Sequence, residues 1–440
     1  ETHNHPSAIE PFGGANTGIG GVIRDVVGVS AKPIASTDVL CFGPQDVPFA
    51  ELPEGVLHPK RIFSGVVAGI QDYGNKIGIP TVSGGIWYDA GYTANPLVYC
   101  GCLGIAPKGM HPRQPEPGDH IIVLGGRTGR DGIHGATFSS MAMDAQTGEV
   151  AGASVQIGAP VVEKGLIDVI LLARDQRLYH AITDCGAGGL SSAVGEMSSE
   201  LGALVQLDTV PLKYSGLAPW EVWLSEAQER MVLAVPSGAL GGLQSLCARY
   251  DVEMTDIGRF TDSGRLVVHN GKETVLDLDN RFLHNGLPQR KLSACVLPPE
   301  IPSGVQGELA PHQTRLGDLL LRLLAHPNIA SKSEVIRLYD HEVQGGGVIK
   351  PLVGEFQEGP SDAVVIRPLM TQGEHAAVLS AGFNPEYGKR DAYQMALNVI
   401  DEAVRNAVAV GANPERIALL DNFCWGDPRR EETLGQLVEA

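Results

Sequence analysis

None of the seven cysteines, at positions 41, 100, 102, 185, 247, 295 and 424, belongs to a Cys-x-x-Cys pair. That excludes a zinc ribbon, makes a disulfide framework an unlikely organiser of so long a chain, and gives the cytoplasm as the expected location. Basic residues are also short: 33 Lys+Arg face 51 Asp+Glu, a formal charge of −18. Duplex DNA or an anionic membrane surface would need a basic face, so neither nucleic acid nor membrane is an expected partner. No apolar run approaches the roughly 18 residues of a membrane span, and no secretory leader is legible. An initiator methionine is missing too. Glu1 stands inside what reads as a motif, so the chain is expected to be a fragment.

Glycine is abundant, at 55 of 440 residues, well above the usual share of about 7%. Many positions therefore call for a positive φ or a close backbone approach. Hydrophobic residues make up 43% of the chain, enough for sizeable cores. The length suggests about three domains. Pro-rich stretches at 107–118 and 297–311 divide the chain into units at 1–108, 109–296 and 336–440, with 297–335 as a linker carrying an amphipathic helix near Leu316–Leu324.

The first and last units repeat. Arg24-Asp25, Ala31-Lys32-Pro33 and Asp38–Gly43 recur in order as Arg405-Asn406, Ala412-Asn413-Pro414 and Asp421–Gly426. A helical stripe precedes each proline: Ile19, Val22, Ile23, Val26 and Val27 in one copy; Met395, Val399, Ala403 with Ala396, Ile400, Val404 in the other. The first helix is expected to emerge from the glycine-rich run Gly13–Gly20, whose free N–H groups would suit an anion; an ordinary turn is the alternative.

Several constellations carry chemistry. Glu1-Thr2-His3-Asn4-His5 predicts a strand with Glu1, His3 and His5 on one face, able to hold a divalent cation and a base; a polar edge strand is the alternative. Arg24-Asp25 combines a phosphate-binding type with a Mg²⁺-binding type, or is simply a solvated pair. Asp184 ends the strand 180–184 before a glycine turn, where α/β domains expose ligand groups, or it caps that turn. Gly125–Gly132 follows the strand Ile121–Leu124 as a second candidate anion loop, without the Gly-Lys-Ser/Thr ending of a P-loop. Glu226–Arg230 lies between two apolar stretches, as a site or as a polar turn between strands. No Gly-x-Cys-x-Gly elbow surrounds any cysteine, so no glutaminase centre is expected in this chain.

Together these stretches (Glu1–Arg24, Gly125–Ser140, Gln156–Gly158, Asp184–Leu190, Leu224–Met231, Tyr339–Gly354 and Leu420–Pro428) resemble the phosphoribosylformylglycinamidine synthase family, in the form whose glutaminase is a separate chain. The resemblance implies duplicated halves of the aminoimidazole ribonucleotide synthetase type, each pairing a ferredoxin-like α+β domain with a larger α/β domain, the second half incomplete. It implies ATP-dependent conversion of formylglycinamide ribonucleotide and ammonia to formylglycinamidine ribonucleotide, with ATP and Mg²⁺ required. A separate glutaminase and a small accessory subunit are the implied partners. Residue by residue, it implies Glu1, Asp25 and Asp184 as Mg²⁺ ligands and His3 as proton acceptor. Thr2, His3, Asn4, His5, Arg24, Gln156, Glu226 and Gln228 would hold the ribonucleotide, and Asp421 would contact ATP. Motifs of the family expected before Glu1 and beyond Ala440 are missing, so the 440-residue piece is expected to be inactive alone. A related synthetase with another substrate and a non-catalytic scaffold are the competing readings.

Overall fold

The structure, a computed structural model, describes residues 1–133, 135–148, 152, 155–296 and 315–440. The Pro-rich stretch 297–311 lies outside these. The chain divides into two compact units, one of 1–81 with 89–288, the other of 82–88 with 289–440.

The first unit begins with α1 (Asn4–Ile9) and α2 (Pro11–Gly28), followed by β1 (Lys32–Phe42), α3 (Pro59–Ile77), β2 (Thr81–Tyr88) and β3 (Leu97–Ile105); all of β2 except Thr81 groups with the second unit. Pro11 opens α2 at a position where no N–H is needed. The apolar stripe predicted for this helix is correct: Ile19, Val22, Ile23 and Val27 are buried. The expected glycine-rich loop is not. Gly13 to Gly20 lie inside α2, because tertiary contacts require a helix flank without side chains. A Cβ on Gly14 would stand 2.5 Å from the Ser7 nitrogen in α1. β1 and β3 pair antiparallel from Lys32↔Ile105 to Cys41↔Leu97, with α2 packed against both strands and against α3.

The unit continues with a seven-stranded mixed sheet of β4 (His120–Gly125), β5 (Ala181–Asp184), β6 (Gly202–Gln206), β7 (Arg230–Val235), β8 (Met254–Thr261), β9 (Arg265–Asn270) and β10 (Glu273–Asp279). Their order is β10-β9-β6-β8-β4-β7-β5; β6 and β9 run parallel and the other ladders are antiparallel. β4 and β7 are buried at every position, so their sequences read as apolar runs rather than alternations. Ile121, Val123, Val232 and Ala234 join Leu190, Ala193 and Val194 of the Gly189–Met197 helix in one core. The Pro160–Asp175 helix packs over β4. Trp220–Leu224, which the polar-turn reading treated as strand, is helical within Pro219–Leu224.

In the second unit, strands Gly347–Ile349, Ala363–Ile366 and Ala377–Ser380 form a three-stranded sheet. The Ala392–Ala409 helix spans the predicted stripe and has the same 18-residue length as α2, although Ile400 is exposed and the other stripe residues are only half-buried. Gly411 follows it at φ +99°. The repeat fades after that. Asp38–Phe42 lies in β1, but Asp421–Gly426 carries no strand. The expected helix at Leu316–Leu324 is present.

Candidate active site

Glu1 to His3 run antiparallel beside β3: Thr2 bridges Tyr99, the Cys100 N–H donates to the Glu1 carbonyl at 2.9 Å, and the His3 N–H donates to the Val98 carbonyl at 2.9 Å. Glu1 and His3 therefore share a face, and His3 Nε2 meets Glu1 Oε1 at 2.7 Å. The predicted row ends there. α1 starts at Asn4, with Pro6 in the first turn, where its missing N–H is harmless. His5 consequently leaves the row; its Nε2 donates to the Met141 carbonyl at 2.9 Å, and its ring stands edge-on to Phe138 at 5.5 Å. Asn4 Oδ1 accepts from the Val98 N–H at 2.8 Å. Two glycines of α2 admit the remaining pair. A Cβ on Gly18 would stand 3.2 Å from the His3 ring, and one on Gly21 would stand 2.5 Å from Glu1 Oε2.

Arg24 and Asp25, adjacent on α2, face different ways. Arg24 is 2% exposed; its Nη1 donates to Glu163 Oε2 at 2.8 Å and its Nη2 donates to Gln228 Oε1. The solvated-pair alternative thus fails for Arg24. Asp25 is exposed, yet desolvation of its carboxyl, with the charges of Glu1 and Asp184, pushes that group up to about 6. Asp184 ends β5 beside Gly28, where a Cβ would stand 3.5 Å from the Asp184 nitrogen. Burial, and then Glu1, raise its carboxyl as well. Burial would raise Glu1 too, but its contact with His3 outweighs that and holds it below the usual carboxylate range. Three carboxylates from separate elements thus share one electrostatic neighbourhood. Among the described residues, however, no group of three His, Cys, Asp or Glu side chains is already arranged as a metal cage.

The 225–229 segment supplies the other wall. Gln228, Glu229 and Arg230 are 9%, 3% and 0% exposed, too buried for a surface turn. The Arg230 guanidinium fixes the segment through the Ala227 and Ser225 carbonyls and the Thr128 hydroxyl. Glu229 sits at φ +55°, a costly conformation for a residue with a Cβ. In that conformation its carboxylate accepts from the Ala159 N–H at 2.8 Å and from the Tyr73 hydroxyl at 3.3 Å. The Gln228 N–H donates to Gln156 Oε1 at 2.9 Å. Glu226 Oε1 accepts from the Gly188 N–H at 3.0 Å, reaching the turn after Asp184. The charges of the second candidate anion loop are already paired, Asp131 with Lys213 at 2.7 Å and Arg130 with Glu221 at 2.7 Å.

Of the residues singled out from the sequence, direct hydrogen bonds join Gln228 to Arg24, Gln156 and Glu226, and Glu1 to His3. Asp25, Asp184 and Glu1 are linked electrostatically. Asp421 is exposed in the second unit. Sequence reasoning missed Glu163 and Tyr73, and took Glu229 only as part of the Glu226–Arg230 segment. Burial pushes the Glu163 carboxyl up to about 7, although Arg24 and the Tyr73 hydroxyl, which donates at 2.6 Å, pull the other way. The guanidinium at 2.8 Å, itself held charged, favours the ionised carboxylate. One signal for Glu163 was available: it falls in register with the buried positions Leu166, Ile167, Ile170 and Ala173, an acid on an apolar stripe.

Two domain families match this sequence: the AIR synthase related protein N-terminal domain, at residues 1–106 and again at 360–440, and the AIR synthase related protein C-terminal domain, at 116–270. Phosphoribosylformylglycinamidine synthase subunit PurL of Thermoplasma acidophilum is 38% identical over all of this chain and 57% of its own length. The subunit from Picrophilus torridus is 39% identical, over 100% and 58%. The chain therefore spans less than three fifths of these curated relatives. Among solved structures, Thermotoga maritima PurL complexed with FGAR superposes with a TM-score of 0.74 at 28% identity, over 99% of this chain and 65% of that one. PurLQS from the same organism gives 0.73 at 29%, over 94% and 60%, and PurL complexed with ATP gives 0.69 at 28%, over 94% and 59%.

Proposed function

The chain belongs to the AIR synthase related family and resembles PurL subunits along its whole length; from this we propose that the protein of which it is part converts formylglycinamide ribonucleotide, ATP and ammonia to formylglycinamidine ribonucleotide, ADP and phosphate in purine biosynthesis. The observation that carries the reading is the convergence, within one unit, of the Glu1–His3 pair, the carboxylates of Asp25 and Asp184, and the buried Arg24–Gln228–Gln156 chain. The solved relative bound to FGAR supports the ribonucleotide as substrate, and the one bound to ATP supports the nucleotide.

An amide oxygen is a poor leaving group. Phosphorylation by ATP makes it an iminophosphate, from which ammonia displaces phosphate. Each added nitrogen must shed a proton, and His3 would take it. With Nε2 donating to Glu1 Oε1, the lone pair stays on Nδ1, a buried atom without a partner among the described residues. Thr2, Asn4, His5, Arg24, Gln156, Glu226 and Gln228 would orient the ribonucleotide, and Asp421 would contact ATP. The Glu1, Asp25 and Asp184 carboxylates are hard oxygen donors crowded by like charge, a chemistry that fits Mg²⁺. Bound there, the ion would neutralise phosphate charge. In this reading residues 1–108 and 109–296 form one ferredoxin-like and α/β pair, and 336–440 the next ferredoxin-like domain after the 297–335 linker. A separate glutaminase would supply ammonia and a small accessory subunit would be the other partner, a reading the PurLQS structure from Thermotoga maritima supports only as far as partner subunits; the cytoplasm would be the site of action. Among the described residues no helix is long and apolar enough to cross a membrane.

The test is ADP formation by the full-length protein with ribonucleotide, ATP and ammonium. His3→Ala should lower kcat by about 10²-fold or more. ADP release that ignores either the ribonucleotide or ammonium would refute the reading.

A further inference from the structure

Among the described residues the Glu163 side chain hydrogen-bonds to Arg24 and Tyr73, not to Glu1, Asp25 or Asp184. It lies in the first turn of the Pro160–Asp175 helix and is 1% exposed. Its Oε2 receives Arg24 Nη1 from α2 at 2.8 Å and the Tyr73 hydroxyl from α3 at 2.6 Å. Arg24 in turn grips Gln228 Oε1, and the Gln228 backbone is tied to Gln156. A guanidinium is a rigid planar fork, so fixing one arm fixes the other. Without Glu163, no hydrogen bond among the described residues holds Arg24 Nη1, and the Gln228 carboxamide, whose Nε2 donates to the Glu226 carbonyl at 3.1 Å, loses the fixed guanidinium that holds its oxygen.

We infer that Glu163 is a positioning residue for the ribonucleotide site, acting through Arg24 to set the side chain of Gln228, with Tyr73 bracing it from α3. The inference rests on the function proposed above. A carboxylate is needed because a neutral partner would leave a buried cation uncompensated, free to reorganise around an anionic ligand. Among the described residues, two buried atoms of the pair, Arg24 Nε and Glu163 Oε1, have no hydrogen-bond partner; the pair is therefore not saturated by them, as an ion pair serving packing only would tend to be.

The experiment uses full-length protein, ammonium as amine donor, and steady-state kinetics with ribonucleotide and ATP varied separately. Glu163→Gln should raise KM for the ribonucleotide by about 10-fold or more, the scale of one charge-assisted hydrogen bond, leaving KM for ATP within about 2-fold. Tyr73→Phe, which removes only the brace, should give a smaller rise of the same selectivity, and Glu163→Asp should restore part of the loss. If Glu163→Gln fails to fold, Tyr73→Phe and Glu163→Asp carry the same selectivity test. A melting temperature that falls while both KM values stay at wild type would show a structural role and overturn the inference. Equal rises in both KM values would overturn it too. Wild-type protein that does not turn over the ribonucleotide would instead defeat the proposed function, and this inference with it.

Discussion

Asp25 stands at a carboxylate crossroads, its own carboxyl raised from an ordinary 3.8 to about 6 by burial and by Glu1 and Asp184. Because the folded state holds this proton more tightly than the unfolded chain, stability from this group is greatest below about pH 4 and drains away as pH climbs through 6. Asp25→Asn should flatten that decline, read as melting temperature between pH 4.5 and 7.5. Mg²⁺ should raise the wild-type melting temperature more at pH 7.5 than at pH 5, and the variant should lose most of that difference. An equal Mg²⁺ effect at both pH values would remove Asp25 from the metal reading. Asp25, Asp184, Glu1 and His3 could be singled out in the sequence because each sits in a compact local motif. Glu163 offered only the signal of an acid on an apolar stripe, and Tyr73 none, because their meaning lies in partners 139 and 90 residues away.

At the scale of elements, α2 shows packing overruling intrinsic preference. A run of glycines reads as a loop, since glycine costs a helix interior about 1 kcal/mol relative to alanine. Here the neighbours require it. Gly14→Ala would press a methyl to 2.5 Å from the Ser7 nitrogen and 2.6 Å from the Pro6 carbonyl carbon. α1 backbone cannot swing aside as a side chain would, so a net loss of roughly 1–3 kcal/mol is expected despite the helix-propensity gain. Gly241→Ala, in the Leu240–Arg249 helix with nothing within 4 Å, should instead stabilise by up to about 1 kcal/mol. Urea unfolding of both variants decides the matter; equal shifts would mean that the α1–α2 contact is looser than described. The helices at Leu316–Leu324 and Ala392–Ala409 and the strand before Asp184 were legible because periodicity and stop signals agreed. The change from strand to helix at Asn4 was not, since alternation over five residues cannot show where a ladder stops.

For the molecule as a whole, the repeat was the most informative feature of the sequence, and the N-terminal domain family matches both copies. Yet the copies have diverged in kind: where α2 carries buried Arg24 and then Asp25, the Ala392–Ala409 helix has Arg405, ion-paired on the surface to Asp401 at 2.6 Å, and then Asn406. The second copy therefore lacks the acid expected of a metal ligand at that place, and its proposed contribution rests on Asp421. In full-length protein, Asp421→Ala should raise KM for ATP by about 10-fold, the worth of one contact to a charged ligand, and leave KM for the ribonucleotide nearly unchanged. The reverse selectivity would move Asp421 out of the nucleotide's reach. The Arg24–Glu163 pair has a different consequence. Loss of either partner alone strands a buried charge, at a cost of about 3–5 kcal/mol, whereas exchanging both for apolar residues can be nearly neutral. Two codons 139 positions apart are thereby coupled in inheritance: a lineage can leave this arrangement only by passing through a crippled ancestor or by changing both codons in one step.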